Sequence, residues 1–378
     1  MNKIQTNKPK RDNFMHLSEI IIESSQQALL SQSSDGSFPA GFNGPYHDAE
    51  TPVRNTAHWL ITLLKAFEKS GNIRFRDSAV KSVQYLLSSD VRPMSSTFYC
   101  RKNPDKDFCN GLIGQAWAIE ALGIAAVAFG DTKIMDTAKN VFNLHPFDEK
   151  KGIWRKVNVD GSYGSVDLTF NHQLWFAAAG STIDNGSDTS IRKKIEIFLK
   201  EVMQTNLNTD STGRILHIIE LRKENMEKRA KYHKIKKIFN RKREIDSKVY
   251  IKEIGYHAFN MYAFSILRKY MPNHLLWGSN VFKNMLEYLD SEIFINGLKN
   301  NIFGYPYNPP GFEVAFTIQE FSYIKDFLKT AKWWVEQQIG QTYDKNRKML
   351  CRATEDKETL SARLYEATRL NDIKFEFI

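Results

Sequence analysis

Residues Asn110–Ser165 read NGLIGQAWAIEALGIAAVAFGDTKIMDTAKNVFNLHPFDEKKGIWRKVNVDGSYGS. Apolar positions recur with a period near 3.6 over 110–129 and again over 132–142, which predicts two helices. Only Gly130-Asp131 separates them, whereas the next link, NLHPFDEKKGIWRKVNVDGSYGS, is long and rich in glycine and aromatic residues. A two-residue link folds consecutive helices back on each other, and a long link leaves room for binding or catalytic groups.

The same alternation runs outward in both directions. Helices are predicted near 14–31, 52–70, 74–89, 110–129, 132–142, 167–180, 188–205, 255–271, 276–291, 311–321, 323–340 and 357–370, about twelve in all, with strand-like alternation confined to the connections. Thr51-Pro52 reads as an N-cap followed by proline at the first helical position, Gly71 ends that helix, and Pro272 follows another. The brief links are SGNI, GD, PNHL and FS; the long ones include SQSSDGSFPAGFNGPYHDAE, VRPMSSTFYCRKNPDKDFC and INGLKNNIFGYPYNPPG. Six hairpins with plain links on one side and elaborated links on the other predict an all-α ring, the (α/α)6 toroid, with the inner helices starting at the long-loop rim.

With 378 residues, 42% of them hydrophobic, the chain can bury a large core, and 1–378 is expected to form one domain. Its formal charge of +10 is local: Leu221–Arg243 alone holds eleven Lys/Arg against two Glu. This belongs to a basic insertion at about 221–252, whose YHKIKKIFNRKREI mixes apolar and cationic positions that suit an anionic membrane surface or an anionic glycan. No nucleic-acid partner is expected, because the rest of the chain is nearly neutral. The N-terminal MNKIQTNKPKRDNFMHL has basic residues without a following apolar run, so a soluble, cytoplasmic protein is expected. Cys100, Cys109 and Cys351 are too few and too scattered for a disulfide framework or a zinc site, and no metal or cofactor is expected.

The inner helices carry polar groups at or near their starts. Arg54, Asn55 and His58 open one, Asn110 and Gln115 the next, and Asn171, His172 and Trp175 the third. Tyr256, His257 and Asn260 follow, then Glu313, then Arg363 and Glu366. Taken singly, each has a structural reading as a cap or a satisfied buried group, and Trp59, Trp117 and Trp175 continue apolar stripes suited to the core. Taken together they predict a shared polar cavity, since so many helix starts with buried polar groups would make a costly core. Phe38, Phe42, Tyr46, Trp154, Tyr163, Phe303, Tyr305 and Tyr307 in the rim links serve either as flat faces for sugar rings or as pins between loops.

Asn171-His172 with Trp175, and Tyr256-His257 in YHAFNMYAF, resemble the Asn-His and Tyr-His elements of alginate-lyase-type polysaccharide lyases. That resemblance implies that Asn171 neutralises a uronate carboxylate, His172 assists proton abstraction, Tyr256 acts as acid or base, and Arg54 or Arg363 binds the carboxylate. DAETPVRNTAHWL, NGLIGQAWAIEAL and YPYNPPGFEVAF resemble six-hairpin proteins of bacterial exopolysaccharide and capsule biosynthesis.

The residues therefore point to a saccharide or anionic glycan and to proton abstraction, with His172, Tyr256, Asn171 and His257 as the chemical groups. Arg54, His58, Asn110, Gln115, Trp175, Asn260, Glu313 and Arg363 are the expected substrate contacts. A lyase and an epimerase, the latter with His172 and His257 on opposite faces of one carbon, both fit. Two alternatives stay open: a glycoside hydrolase using two carboxylates from Asp107, Asp167 and Glu313, and a non-catalytic glycan-binding or scaffold protein.

Overall fold

The computed structural model describes residues 14–184, 186, 189–219 and 248–376. The part of the basic insertion from 220 to 247 lies outside the described residues, and with it the expectation of a membrane or polyanion surface there.

Among the described residues the chain forms thirteen α-helices: α1 Leu17–Ala28, α2 Val53–Ser70, α3 Ile73–Leu87, α4 Gly111–Phe129, α5 Thr132–Leu144, α6 Phe170–Ile183 and α7 Thr189–Glu201, then α8 Lys248–Tyr270, α9 Asn280–Leu289, α10 Glu292–Gly297, α11 Pro310–Phe321, α12 Ala331–Thr342 and α13 Lys357–Ala362. A 3-10 segment, Arg363–Arg369, continues α13. The inner helices α2, α4, α6, α8 and α11 each pack on the next, and the terminal 3-10 segment returns to α2, so the ring closes. This is the (α/α)6 toroid that the link asymmetry predicts.

Local chemistry explains the tight rim. Gly130 adopts a left-handed φ of 66° that ends α4, and Asp131 accepts a hydrogen bond from Lys133 N at 2.8 Å to start α5, so two residues suffice for the turn. Helix α4 is apolar on all sides, long enough by length and composition to cross a membrane, yet 78% of its most apolar window is buried, because it forms an inner wall of the ring. Thr51 departs from expectation. Pro52 stands at the N-cap, and the Thr51 hydroxyl donates instead to Tyr99 O at 2.6 Å.

The long links carry the short strands. β1 Phe14–His16 pairs antiparallel with β7 Lys374–Glu376 and joins the first and last described segments; β2 Phe147–Asp148, β3 Ile153–Val157 and β4 Tyr163–Val166 form one small sheet; β5 Tyr343–Asp344 and β6 Met349–Leu350 form another. Buried amides tie these links to the helices. Gln115 accepts from Phe98 N at 2.7 Å and donates to Cys109 O at 2.8 Å, and Gln173 accepts from Trp154 N and donates to Trp154 O, both at 2.8 Å. Each amide satisfies backbone groups that the irregular link leaves unpaired. Gln115, expected at the substrate, is therefore a clamp for the 98–109 link.

Other differences are local. The predicted helix at 276–291 is a 3-10 turn, Leu275–Gly278, followed by α9; the predicted helix at 323–340 begins only at Ala331, where Thr330 caps Trp333 N at 3.1 Å. Helix α8 is described from Lys248, two turns before the predicted start at 255, because KVYIK at 248–252 is too short a stretch to show the helical period.

Candidate active site

At the long-link rim the inner helix starts surround a cavity of about 200 Å3. Arg54 on α2, Asn110 and Trp117 at α4, Asn171 and His172 on α6, Lys252, Tyr256 and Phe259 on α8, and Arg363 on the terminal segment line it. The links add Asn43, Tyr46, Asp48, Arg101, Lys106, Thr169, His217, Tyr307 and Asn308.

His172 is the best-oriented group. Its Nδ1 lies 2.8 Å from Asp167 Oδ2, and Asp167 also accepts from Thr169 N at 3.1 Å and Leu112 N at 3.3 Å. These partners hold the Asp167 carboxyl well below the usual carboxylate range despite its burial, so it stays ionised and can only accept. Nδ1 therefore carries a proton toward Asp167, and Nε2 is the ring nitrogen that this contact leaves uncommitted. Gly111 makes room for this pair: with φ +58°, a Cβ there would lie 2.6 Å from Asp167 Oδ2 and 3.1 Å from His172 Nδ1.

His217 supplies a second imidazole. Phe170 N donates to its carbonyl at 2.9 Å, and its own N–H donates to Glu253 Oε1 at 3.1 Å, which fixes the segment between α6 and α8. Burial lowers its pKa from 6.5 to about 3, with further lowering from the charges of Lys252 and His172. It is neutral at physiological pH. Sequence reasoning passed over His217, because RILHIIE carries no helix-start signal and adjoins the basic insertion.

Tyr256 lines the cavity with its hydroxyl 3.0 Å from that of Tyr46. Burial and the neighbouring Tyr307 and Tyr46 push it well above 10.0, so it holds its proton firmly. Tyr307 donates to Asn43 Oδ1 at 2.6 Å, and Arg54 donates to the same oxygen at 2.9 Å.

The floor is a layer of buried charge. Arg363 donates to Glu313 at 2.9 Å, to Glu366 at 2.6 Å and to Asn308 Oδ1. Burial and the Glu366 charge push the Glu313 carboxyl well above its ordinary range. His58 lies one turn below Arg54, stacked on Tyr365 at 4.1 Å, with neither ring nitrogen hydrogen-bonded; burial, then the charges of Arg54 and Arg363, hold it neutral.

Of the residues expected at the site, Arg54, Asn110, Asn171, His172, Tyr256 and Arg363 meet at this one cavity. His58, Glu313 and Asn260 lie deeper, and Trp175 stacks on Phe259 at 4.5 Å inside the core. His257 turns away altogether: its Nδ1 accepts from Ile215 N at 3.3 Å and its Nε2 donates to Met285 O at 3.0 Å. The reason is angular. Neighbouring residues two turns into a helix point about 100° apart, so Tyr256 and His257 cannot share a face. Among the rim aromatics, Tyr46 and Tyr307 line the cavity, whereas Phe38, Trp154 and Phe303 are buried as loop pins.

No family model matches the chain. Among solved structures it is similar to cellobiose 2-epimerase from Spirochaeta thermophila (TM-score 0.63, 14% identity, 93% of this chain and 96% of that one). It is also similar to a D-mannose isomerase (TM-score 0.59, 12% identity, 94% and 97%) and to an unsaturated glucuronyl hydrolase specific for heparin (TM-score 0.59, 10% identity, 93% and 95%). At such identities the likeness shows the fold. A curated relative from Haloferax volcanii, archaeal glycosylation protein Q, is 42% identical over 370 residues, spanning 94% of this chain and 98% of its own length. The chain thus belongs to the family of archaeal glycosylation protein Q, on the six-hairpin (α/α)6 toroid shared by carbohydrate-active enzymes.

Proposed function

We propose that the protein is a sugar-converting enzyme of the epimerase or isomerase type, acting in glycan metabolism by moving a proton next to a sugar carbonyl. The observation that carries this reading is the pair of imidazoles, His172 and His217, on one small cavity, one of them oriented by a carboxylate. Neutral His217 serves as base toward the C–H beside the carbonyl, and His172, oriented through Nδ1 by Asp167, is the proton-delivering partner. In the reverse direction the roles exchange. The guanidinium groups of Arg54 and Arg363 at the cavity supply fixed positive charge for the enediolate oxygen, and Asn171 is placed to orient a substrate hydroxyl.

Two other chemistries receive less support from the same residues. A hydrolase needs two available carboxylates. Among the described residues the cavity-lining carboxylate is Asp48, already bonded to Lys106 at 2.5 Å and Asn103 at 2.9 Å, and Glu313 lies beneath Arg363. A lyase of the type resembled would use Tyr256 as its acid, and that hydroxyl is engaged by Tyr46 and binds its proton tightly. The relative's name supports glycosylation as the setting, and the cytoplasm is the proposed compartment.

Incubation of the full chain in D2O with glucose, mannose and glucuronate, and separately with oligosaccharides of these sugars, followed by NMR, tests the reading. Deuterium should enter at the carbon beside the carbonyl, without chain cleavage. An unsaturated product absorbing in the ultraviolet, or a new reducing end from an oligosaccharide without deuterium incorporation, would replace this mechanism with elimination or hydrolysis.

A further inference from the structure

Five cationic side chains line the cavity, and four each pair with a carboxylate of the chain. Arg54 pairs with Glu50 at 3.3 Å, Arg101 with Asp107 at 3.1 Å, Lys106 with Asp48 at 2.5 Å, and Arg363 with Glu366 at 2.6 Å. The fifth, Lys252, has no carboxylate within ion-pair distance among the described residues. Glu253, next to it in sequence, is taken up by Arg214 at 2.9 Å and by the backbone N–H of His217 at 3.1 Å. Lys252 instead holds its ammonium 5.1 Å from the Tyr46 ring centroid and 5.6 Å from that of Tyr256.

Lys252 is half-buried; partial withdrawal of an ammonium from water without a paired counter-ion is unfavourable, and two aromatic faces recover only part of that cost. We infer that Lys252 is the recognition site for a negatively charged substituent, so that the sugar handled here carries a carboxylate or a phosphate ester. The inference rests on the cavity being a saccharide site, as proposed above, and names the class of saccharide. Burial lowers the Lys252 pKa from 10.5 to about 8, and the neighbouring Glu253 charge, already engaged by Arg214, offsets this only in part. The arrangement has a second effect. Lys252 is one of the charges that keep His217 from taking up a proton, so an anion bound at Lys252 offsets that charge and makes His217 a better base with its substrate in place.

The test is titration calorimetry of the full chain and of the variants Lys252→Met and Lys252→Arg with three probes: D-glucose, D-glucuronate and D-glucose 6-phosphate. Circular dichroism confirms that each variant is folded. One of the two anionic sugars should bind the wild type at least ~10-fold more tightly than glucose, as expected for a hydrogen bond between charged groups. Which of them does so separates carboxylate from phosphate recognition. Lys252→Met should remove the gap, and Lys252→Arg should keep most of it. Equal binding of glucose and both anionic sugars, or a gap that survives Lys252→Met, overturns the inference while leaving the saccharide site intact. Binding of none of the three overturns the saccharide reading and the inference together.

Discussion

The start of α6 and the middle of α8 present the same residue type in opposite circumstances. His172 sits in the first turn of its helix, bonded to one buried carboxylate on its Nδ1 side and facing the cavity with the rest of its ring. His257 sits in the third turn of α8, with both nitrogens spent on the backbone of Ile215 and Met285. In sequence each follows a polar neighbour near the mouth of an inner helix. What separates them is where the remaining hydrogen-bonding capacity goes: the ring with a nitrogen to spare at a cavity is available for chemistry, and the saturated ring is a structural cross-link between α8, the 214–219 segment and α9.

Substitution should split the two regions cleanly. His172→Ala should lower turnover on the order of 10²–10⁴-fold, because the lost group belongs to the proton path, with a stability loss of about 1–2 kcal/mol from the Asp167 carboxylate left short of a partner. His257→Ala should do the opposite, costing roughly 2–5 kcal/mol of stability by stranding Ile215 N and Met285 O, with turnover per folded molecule retained. A loss of turnover for His257→Ala without a loss of stability would put it back at the reaction centre.

The smallest expected effect is a pH dependence. Burial lowers the His257 pKa from 6.5 to about 4, so between those values the unfolded chain binds the proton and the folded chain does not. Its stabilising contribution is present above pH 6.5 and is lost as the pH falls toward 4, by up to ~3 kcal/mol. Urea titrations at pH 7 and pH 4.5 should therefore show a larger drop for the wild type than for His257→Gln. Parallel curves would mean that His257 titrates as it does in the unfolded chain.

The comparison also shows what could be read before the structure. The ring was legible because helical period and link length are local properties, and the two-residue Gly130-Asp131 turn against the 23-residue link after α5 already sets one rim apart from the other. Arg54, Asn110, Asn171 and His172 were legible because side chains at a helix mouth reach over its end. Direction deeper in a helix was not: His257 follows Tyr256 by one residue and points elsewhere. His217 and Lys252 were not legible because one stands in an irregular link and the other closes KVYIK, residues 248–252, a stretch too short to show a helical period beside the basic insertion. By its position near a helix start Asp167 suits a hydrolytic carboxylate, whereas its contacts make it the group that orients His172.

The central claim, that His172 and His217 work on one carbon as paired acid and base, is tested most directly by following proton exchange in single variants. The sugar that takes up deuterium with the wild type would be supplied to His172→Gln and His217→Gln as each separate isomer in D2O. The account predicts that each variant loses interconversion yet still exchanges the proton of one isomer, a different one for each variant, because the remaining imidazole reaches one face of the carbon. Interconversion at the wild-type rate in both variants, or loss of exchange from both isomers on removing either ring alone, would contradict it.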